Sequence, residues 1–472
     1  MVKKIDNTLI SKLKEITGAE NVLTEPEQTI DYSHDEFTLD DIAHSPDVVV
    51  RPGTAEEAAG ILKLAQNHRI PVTARGAATG LCGGCVPSQG GIVLSLERMN
   101  RIIDIDDANQ MAVVEAGVRL MDFYQAVKEA GLFFPPHPGD ESAMMGGLIA
   151  TNAGGARAVK YGVIRNYIRG MDVVLASGKI IRLGGKIMKS STGYNLLNLF
   201  IGSEGTLGIV TRAVIQLMPP APASRSLIIP YDSLEAAIES VPLMIRNKIL
   251  PLAVEFIPRE VIVRTEKLLN KKWPCSMGKV YLLVILDASS QEDMDKLSQD
   301  VAEICLEKEA LDVFVADNPQ KQKQVLDIRS KLYESIKDNN VETLDIVVPR
   351  GEIAGHVKKV QEVQERCGLW LPTYGHAADG NVHTHIMNVR YDNGETIPLP
   401  EKEWKEKLGK IRADLYRDCQ ERGGMISGEH GIGLVKKPYL SYVIDNEQIR
   451  LMREIKKVFD PENILNPDKI FT

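Results

Sequence analysis

The chain has 472 residues, a net charge of −8, and 44% hydrophobic and 25% charged residues. At roughly 100–200 residues per domain, that length allows two to four folding units, each with a core that needs no disulfide or metal staple. The acidic balance argues against a role built on neutralising phosphates, so no nucleic-acid partner is expected.

The first residues, MVKKIDNTLISKLKEITG, are polar and amphipathic and lack the apolar run of a secretory signal. No stretch of about 18 uncharged apolar residues occurs, so no membrane span is expected. Residues 1–45 read as helix and loop. DVVVRP is then a short apolar strand, TAEEAAGILKLAQNHR a helix, and IPVTAR a second strand, together a β-α-β unit. Thr54 is placed as N-cap with Glu57 three residues on, a capping-box spacing. GIVLSL, RIIDID and MAVVEAG read as further strands, and LMDFYQAVKEAG as a helix. Residues 135–155 are too rich in Gly, Pro and Ala for a regular element and read as loops around a short helix. MDVVLAS and KIIRLGG form a strand pair turning at Ser177-Gly178, and GTLGIVTRAVIQLMP holds another strand.

PPAPAS at 219–224 breaks the composition and marks the first domain boundary. Strands and longer helices alternate after it, in RSLIIPY, a helix from Ser233, LAVEFIP, KVYLLVILDAS and a charged helix from Gln291. From about Glu421 the text is again glycine-rich, ending in FDPENILNPDKIFT.

Three glycine loops fall in the first half: TARGAATGLCGG from Thr73, PGDESAMMGGLIATNAGG from Pro138, and GSEGTLG from Gly202. Glycines let backbone N–H groups approach and cradle phosphates. None is the GxGxxG of a Rossmann fold, but three in one domain suit a long cofactor with a pyrophosphate and a planar ring. The six cysteines are Cys82, Cys85, Cys275, Cys305, Cys367 and Cys419, sparse usage that fits a reducing cytosol and a cytoplasmic location. Cys82 and Cys85 form a CxxC inside the first loop; with no second CxxC, they read as small residues packed in a tight turn.

Four of the nine histidines lie between 376 and 430. His376 and His383 sit in GHAADGNVH, where His383 and His385 share one face of a strand by period two. Glu429 and His430 sit in SGEHGIG, whose glycines allow close approach. A His/His/Glu set matches common divalent-metal ligation with positions left open for substrate.

From Val48 to Leu217 the chain resembles the FAD domain of the vanillyl-alcohol oxidase and p-cresol methylhydroxylase superfamily, through PVTARGAATGL, GGLIATNAGG, KSSTGYNL and GSEGTLGIVT. The resemblance continues through GHAADGNVH and SGEHGIG to ILNP, and so covers nearly the whole chain. The branch it resembles most is that of the glycolate oxidase large subunit and the D-lactate and D-2-hydroxyglutarate dehydrogenases. It implies an α+β chain: a two-subdomain FAD-binding domain of the p-cresol methylhydroxylase type over 1–218, an α/β substrate-capping domain over 219–424, and a segment 425–472 returning to the FAD domain.

By that resemblance FAD is contacted by Arg75, Gly76, Ala77, Ala78, Thr79, Gly80 and Gly83 in the first loop. The second loop contributes Pro138, Gly139, Asp140, Ser142, Met145, Gly146, Gly147, Thr151, Asn152, Gly154 and Gly155. Glu204, Gly205, Ile209 and Val210 follow around the third, with Asn466 near the end. Some members bind FAD covalently through a histidine of the first loop; none stands here, which implies non-covalent FAD. The histidine motifs carry over as His376, His383 and Glu429 for a divalent metal (Zn, Fe or Mn) and His430 as the base. Ala378 replaces a usual glycine, and His385 is a candidate to support the ligands from behind. Arg329 falls where related dehydrogenases carry a substrate-carboxylate arginine, with Arg350 as the weaker alternative.

The implied reaction is oxidation of a 2-hydroxy acid, D-lactate or glycolate, with electrons passed to an electron-transfer flavoprotein or an iron–sulfur subunit. The competing readings are a D-2-hydroxyglutarate dehydrogenase, a metal-free alcohol oxidase of the same superfamily, and a non-catalytic FAD subunit.

Overall fold

The computed structural model describes residues 5–37, 39–316, 318–392 and 395–471. They form two compact units: Met1–Gly154, Val163–Pro220 and Glu429–Thr472 make the first, Gly155–Gly162 and Ala221–Gly428 the second. No helix among the described residues is long and apolar enough to cross a membrane.

In the first unit, Val48–Val50 and Val72–Arg75 both pair in parallel with Ile92–Ser95, and Val22–Leu23 joins antiparallel at the edge. Helix Ala55–His68 is the crossover of this β-α-β unit. Thr54 caps it by accepting from Glu57 N at 3.1 Å, while the Glu57 carboxylate accepts from Gly53 N at 2.7 Å. The reciprocal half of the expected capping box is thus shifted by one residue. Ala58, Ile61, Leu62 and Ala65 of that helix are buried against Val48, Val50, Ile92 and Leu94 in one cluster, which Ile464 and Leu465 complete. Beside this four-stranded sheet lies a five-stranded antiparallel one, in the order Ile102–Asp106, Met111–Glu115, Ile209–Gln216, Ile168–Val174 and Ile180–Gly184. Its hairpin turns at Gly178, whose φ of 76° is the left-handed conformation that glycine adopts without strain.

The second unit is built on a seven-stranded antiparallel sheet. Its order is Phe314–Ala316, Ala223–Tyr231, Val280–Ala288, Ala253–Pro258, Thr373–His376, Asn381–Met387 and Asn340–Val347. Helices Arg259–Leu269 and Pro319–Ser330 bury Val261, Ile262, Val325 and Ile328 with Ile228, Ile257 and Leu283 of the sheet. The short stretch 155–162 leaves the first unit and joins this one: Lys160 pairs with Asp287, and the Tyr161 hydroxyl donates to the same carboxylate at 2.8 Å.

Candidate functional site

The first unit offers a site made of backbone. Strand Val72–Arg75 ends in the loop Gly76–Gly80, where the N–H groups of Gly76, Ala77, Ala78, Thr79 and Gly80 meet no acceptor among the described residues. Ala78 holds a left-handed φ of 61°, the kind of backbone turn from which anion-binding nests are built. Five partly exposed donors in succession, without an acceptor among the described residues, suit an anion such as a pyrophosphate. Gly83 N donates to Asp35 at 2.7 Å, anchoring the far end of the loop. Burial pushes the Asp35 carboxyl up to about 6, against the pull of its bonds from Phe37 and Gly83.

Arg75 itself points elsewhere. Its guanidinium donates to the carbonyls of Asp31 and His34, both at 2.6 Å, and lies over the Tyr32 ring. Its charge ties down the N-terminal segment.

The second loop begins at Pro138-Gly139 and turns at Asp140, whose carboxylate accepts from Ser142 N at 2.7 Å. It then enters helix Met145–Thr151. Gly146 lets this helix lie on the chain at Ala116: a Cβ there would stand 2.8 Å from the Ala116 Cβ. Met145 and Gly146 donate to Val118 and Ala116, so Gly147 is the first-turn N–H left to a ligand. Thr151 bonds back to Gly147 O, and Asn152, at φ 53°, ends the helix and accepts from Arg165 N at 3.0 Å. Gly154 packs against Glu429, while Gly155 opens the stretch belonging to the second unit.

In the third loop, Gly205 takes φ 70°, and Ile209 and Val210 begin a buried strand. The Glu204 side chain accepts from Ile432 N and Gly433 N, both at 2.8 Å. Burial raises its pKa, and the two donors and Lys436 oppose the rise. Asn466 donates to Gly84 O and Glu204 O at 2.9 and 2.6 Å. Glu204 and Asn466 therefore clasp the C-terminal segment to the first and third loops.

That clasp also fixes Glu429 and His430. Gly431 lies close against Glu204 and Gly433 against Cys82 O, where a Cβ would fall at 2.0 Å. The Cys82 thiol donates to Gly431 O at 3.3 Å and Leu434 N donates to Cys82 O at 2.8 Å. The CxxC is accordingly two free cysteines in a packed turn, with burial pushing the Cys85 thiol up to about 11.

The second unit offers a site made of side chains. On one face of its sheet, paired strands set Glu255 opposite His376, Tyr374 and Asp345 opposite His383, and Thr343 opposite His385. The His376 and His383 rings stand edge to face with centroids 5.4 Å apart, and a nitrogen of each lies within 4.8 Å of the other. His376 Nδ1 is 2.6 Å from Glu255 Oε1, and Arg329 Nη2 donates to Glu255 Oε2 at 3.1 Å. Burial alone would raise the Glu255 pKa; Arg329 and His376 outweigh it and hold the carboxyl down at about 2. An ionised Glu255 can only accept, so His376 Nδ1 carries the proton and Nε2 is the nitrogen able to ligate.

Asp345 is fully buried, 4.0 Å from His383 Nδ1. It accepts from Asn381 Nδ2, Ser427 Oγ and Gly428 N at 2.7, 3.0 and 2.9 Å. It thereby anchors the residue immediately before Glu429. His385 Nδ1 is 3.0 Å from Thr343 Oγ1, and Arg350 is exposed on a short turn. Ala378 is not among the residues with positive φ, so its turn accommodates alanine without strain.

The structure thus brings together His376, His383 and Arg329 within the second unit, and Glu429 and His430 on a clasped loop of the first. Glu255 and Asp345 were not foreseen. Their signal was faint but present: each is an acid inside an apolar strand, in LAVEFIP and LDIVVP.

Comparison with known proteins agrees with both halves. Residues 46–184 match an FAD binding domain, and residues 221–470 match the C-terminal domain of FAD linked oxidases. The chain is 40% identical to a D-lactate dehydrogenase of Anaerostipes hadrus over 99% of this chain and 98% of that one. It is 36% identical to the glycolate oxidase subunit GlcD of Bacillus subtilis (strain 168), over 98% and 96%. Its fold matches that of p-cresol methylhydroxylase with substrate bound, at a TM-score of 0.80 and 20% identity, covering 98% of this chain and 96% of the other. The backbone cradle and the sheet-borne histidines are therefore features of an FAD-dependent oxidoreductase, and the chain belongs to the family of FAD-linked oxidases.

Proposed function

We propose that the protein oxidises a short 2-hydroxy acid to its 2-oxo acid, D-lactate foremost and glycolate as the second choice. The observation that carries this reading is His376, oriented through Nδ1 by an ionised Glu255 beside a second imidazole on the same sheet face. Such second-partner orientation is the usual support of a metal-ligating histidine. The full-length similarity to a D-lactate dehydrogenase supplies the substrate class.

In this reading His376, His383 and Glu429 would hold a divalent cation, and their donors suit Zn, Fe or Mn. A cation held there would supply Lewis acidity to the substrate's hydroxyl. FAD held by the first unit would supply the redox chemistry, as acceptor for the hydride of the substrate's 2-carbon. His430 takes the hydroxyl proton on its imidazole, whose ordinary pKa lies near working pH. Arg329, turned toward the His376 side of the sheet by Glu255, supplies the guanidinium for the substrate carboxylate. The first unit carries FAD through backbone donors; its first loop has no histidine, so the attachment is non-covalent. We assign residues 1–218 and 425–472 to FAD and 219–424 to the substrate. The sequence has no four-cysteine cluster motif, so the electrons leave to a protein partner, an electron-transfer flavoprotein in preference to an iron–sulfur subunit.

Anaerobic mixing with D-lactate, glycolate, D-2-hydroxyglutarate and a simple alcohol tests this. D-Lactate should bleach the flavin fastest, a chelator should stop the bleaching, and a divalent metal should restore it. Bleaching by the alcohol alone, or bleaching that survives the chelator, would replace the proposal with a metal-free alcohol oxidase.

A further inference from the structure

The sheet face that carries His376 and His383 also carries Tyr374, which has no task in the scheme above. Tyr374 stands two residues before His376 on one strand and directly opposite His383 on the next. Side chains two apart on a strand share a face, so its phenol enters the same space.

The ring is held by packing. It stacks on His385 with centroids 4.8 Å apart and planes 27° from parallel. His385 is itself fixed by Thr343. The ring also packs on the apolar clusters that include Ile257, Leu332 and Trp370. The hydroxyl is different. Tyr374 is only half-buried, and its hydroxyl makes no hydrogen bond among the described residues. A packed tyrosine normally finds a partner for its O–H, and where packing is the whole requirement phenylalanine serves. Arg329 reaches the same neighbourhood through its bond to Glu255, which pairs with His376, two residues along the strand from Tyr374.

We propose that the Tyr374 hydroxyl donates a hydrogen bond to the substrate's carboxylate, beside the Arg329 guanidinium, and so helps select an acid over a neutral alcohol. This rests on the 2-hydroxy-acid reading above. A phenol keeps its proton at neutral pH and a carboxylate only accepts, so the bond has one direction. It is charge-assisted, and a neutral alcohol or ester gains much less from it. His385 acquires a role as well: it is the platform that holds the phenol in line.

The test compares wild type with Tyr374→Phe, both as flavin-loaded full chains, on D-lactate and its uncharged methyl ester. The ester is read as substrate or as inhibitor. Phenylalanine keeps the stack and the apolar contacts, so flavin spectrum and Tm should not change. The KM for D-lactate should rise about ten- to hundredfold, the range for losing a hydrogen bond to a charged group. The kcat should change far less, and the constant for the ester should hardly move. An unchanged KM for D-lactate overturns the proposal. Equal losses on acid and ester also overturn it, because the hydroxyl then acts on something other than the carboxylate. If no 2-hydroxy acid bleaches even the wild-type flavin, the function itself is wrong and this proposal falls with it.

Discussion

The loop 76–80 and the sheet face around His376 solve opposite problems with opposite materials. The loop presents five backbone N–H groups and almost no side-chain chemistry. The sheet face presents imidazoles, carboxylates and a guanidinium, each oriented by another side chain. A backbone site tolerates changes of side chain as long as the path of the chain survives. A side-chain site depends on single atoms. The two should therefore break differently under mutation.

The largest effect is expected from His430→Ala. Loss of a general base costs about 10²–10⁴ in rate, so if His430 has the role proposed above, kcat on the preferred 2-hydroxy acid should fall by that much while flavin content stays at wild-type level. Loss of flavin along with activity would erase the contrast. Next is Glu255→Gln. It keeps the size but removes the ionised acceptor that orients His376, so metal affinity should drop about 10- to 100-fold, read by titration with Zn, and retention of full affinity would deny Glu255 that role.

For the backbone site, Gly146→Ala forces a Cβ to 2.8 Å from the Ala116 Cβ, shifting helix Met145–Thr151. Overpacking of this kind costs about 1–3 kcal/mol, and here flavin occupancy should fall together with Tm while residual kcat per bound flavin is preserved. The smallest effect concerns Asp35. Its folded pKa, about 6, lies above the unfolded carboxyl value. Stability from this group is therefore full below the unfolded value and is lost as pH rises through about 6. Asp35→Asn should flatten the pH dependence of Tm between about 4 and 6, and parallel curves for the two proteins would show that Asp35 is not responsible.

The same contrast explains what could be read from the sequence. Periodicity and capping rules located helix Ala55–His68 and the hairpin at Gly178, because both are decided by residues close in the chain. The glycine loops were visible because glycine is itself the signal. The partners of the key groups were not. Glu255 lies 121 residues from His376, and no local rule says which acid in an apolar strand faces which histidine. A linear reading does not show that the side chains of Arg75 and Glu204 hold other parts of the chain. Nor could a linear reading show that Lys160 and Tyr161 turn to Asp287, since that preference was settled by one buried carboxylate more than a hundred residues away.

The clasp at the end of the chain has a consequence for the order of events during synthesis. Val72 bridges to Leu465, Lys469 donates to Val86 O, and Lys456 donates to Thr206 O. These partners leave the ribosome only after the whole of Ala221–Gly428. A chain that folds as it emerges can complete the second unit while the first still lacks its closing segment. The unit holding Val72, Val86 and Thr206 is thus closed only after the other has emerged, and removing Lys456–Lys469 would damage it more than the unit Ala221–Gly428 that precedes the cut.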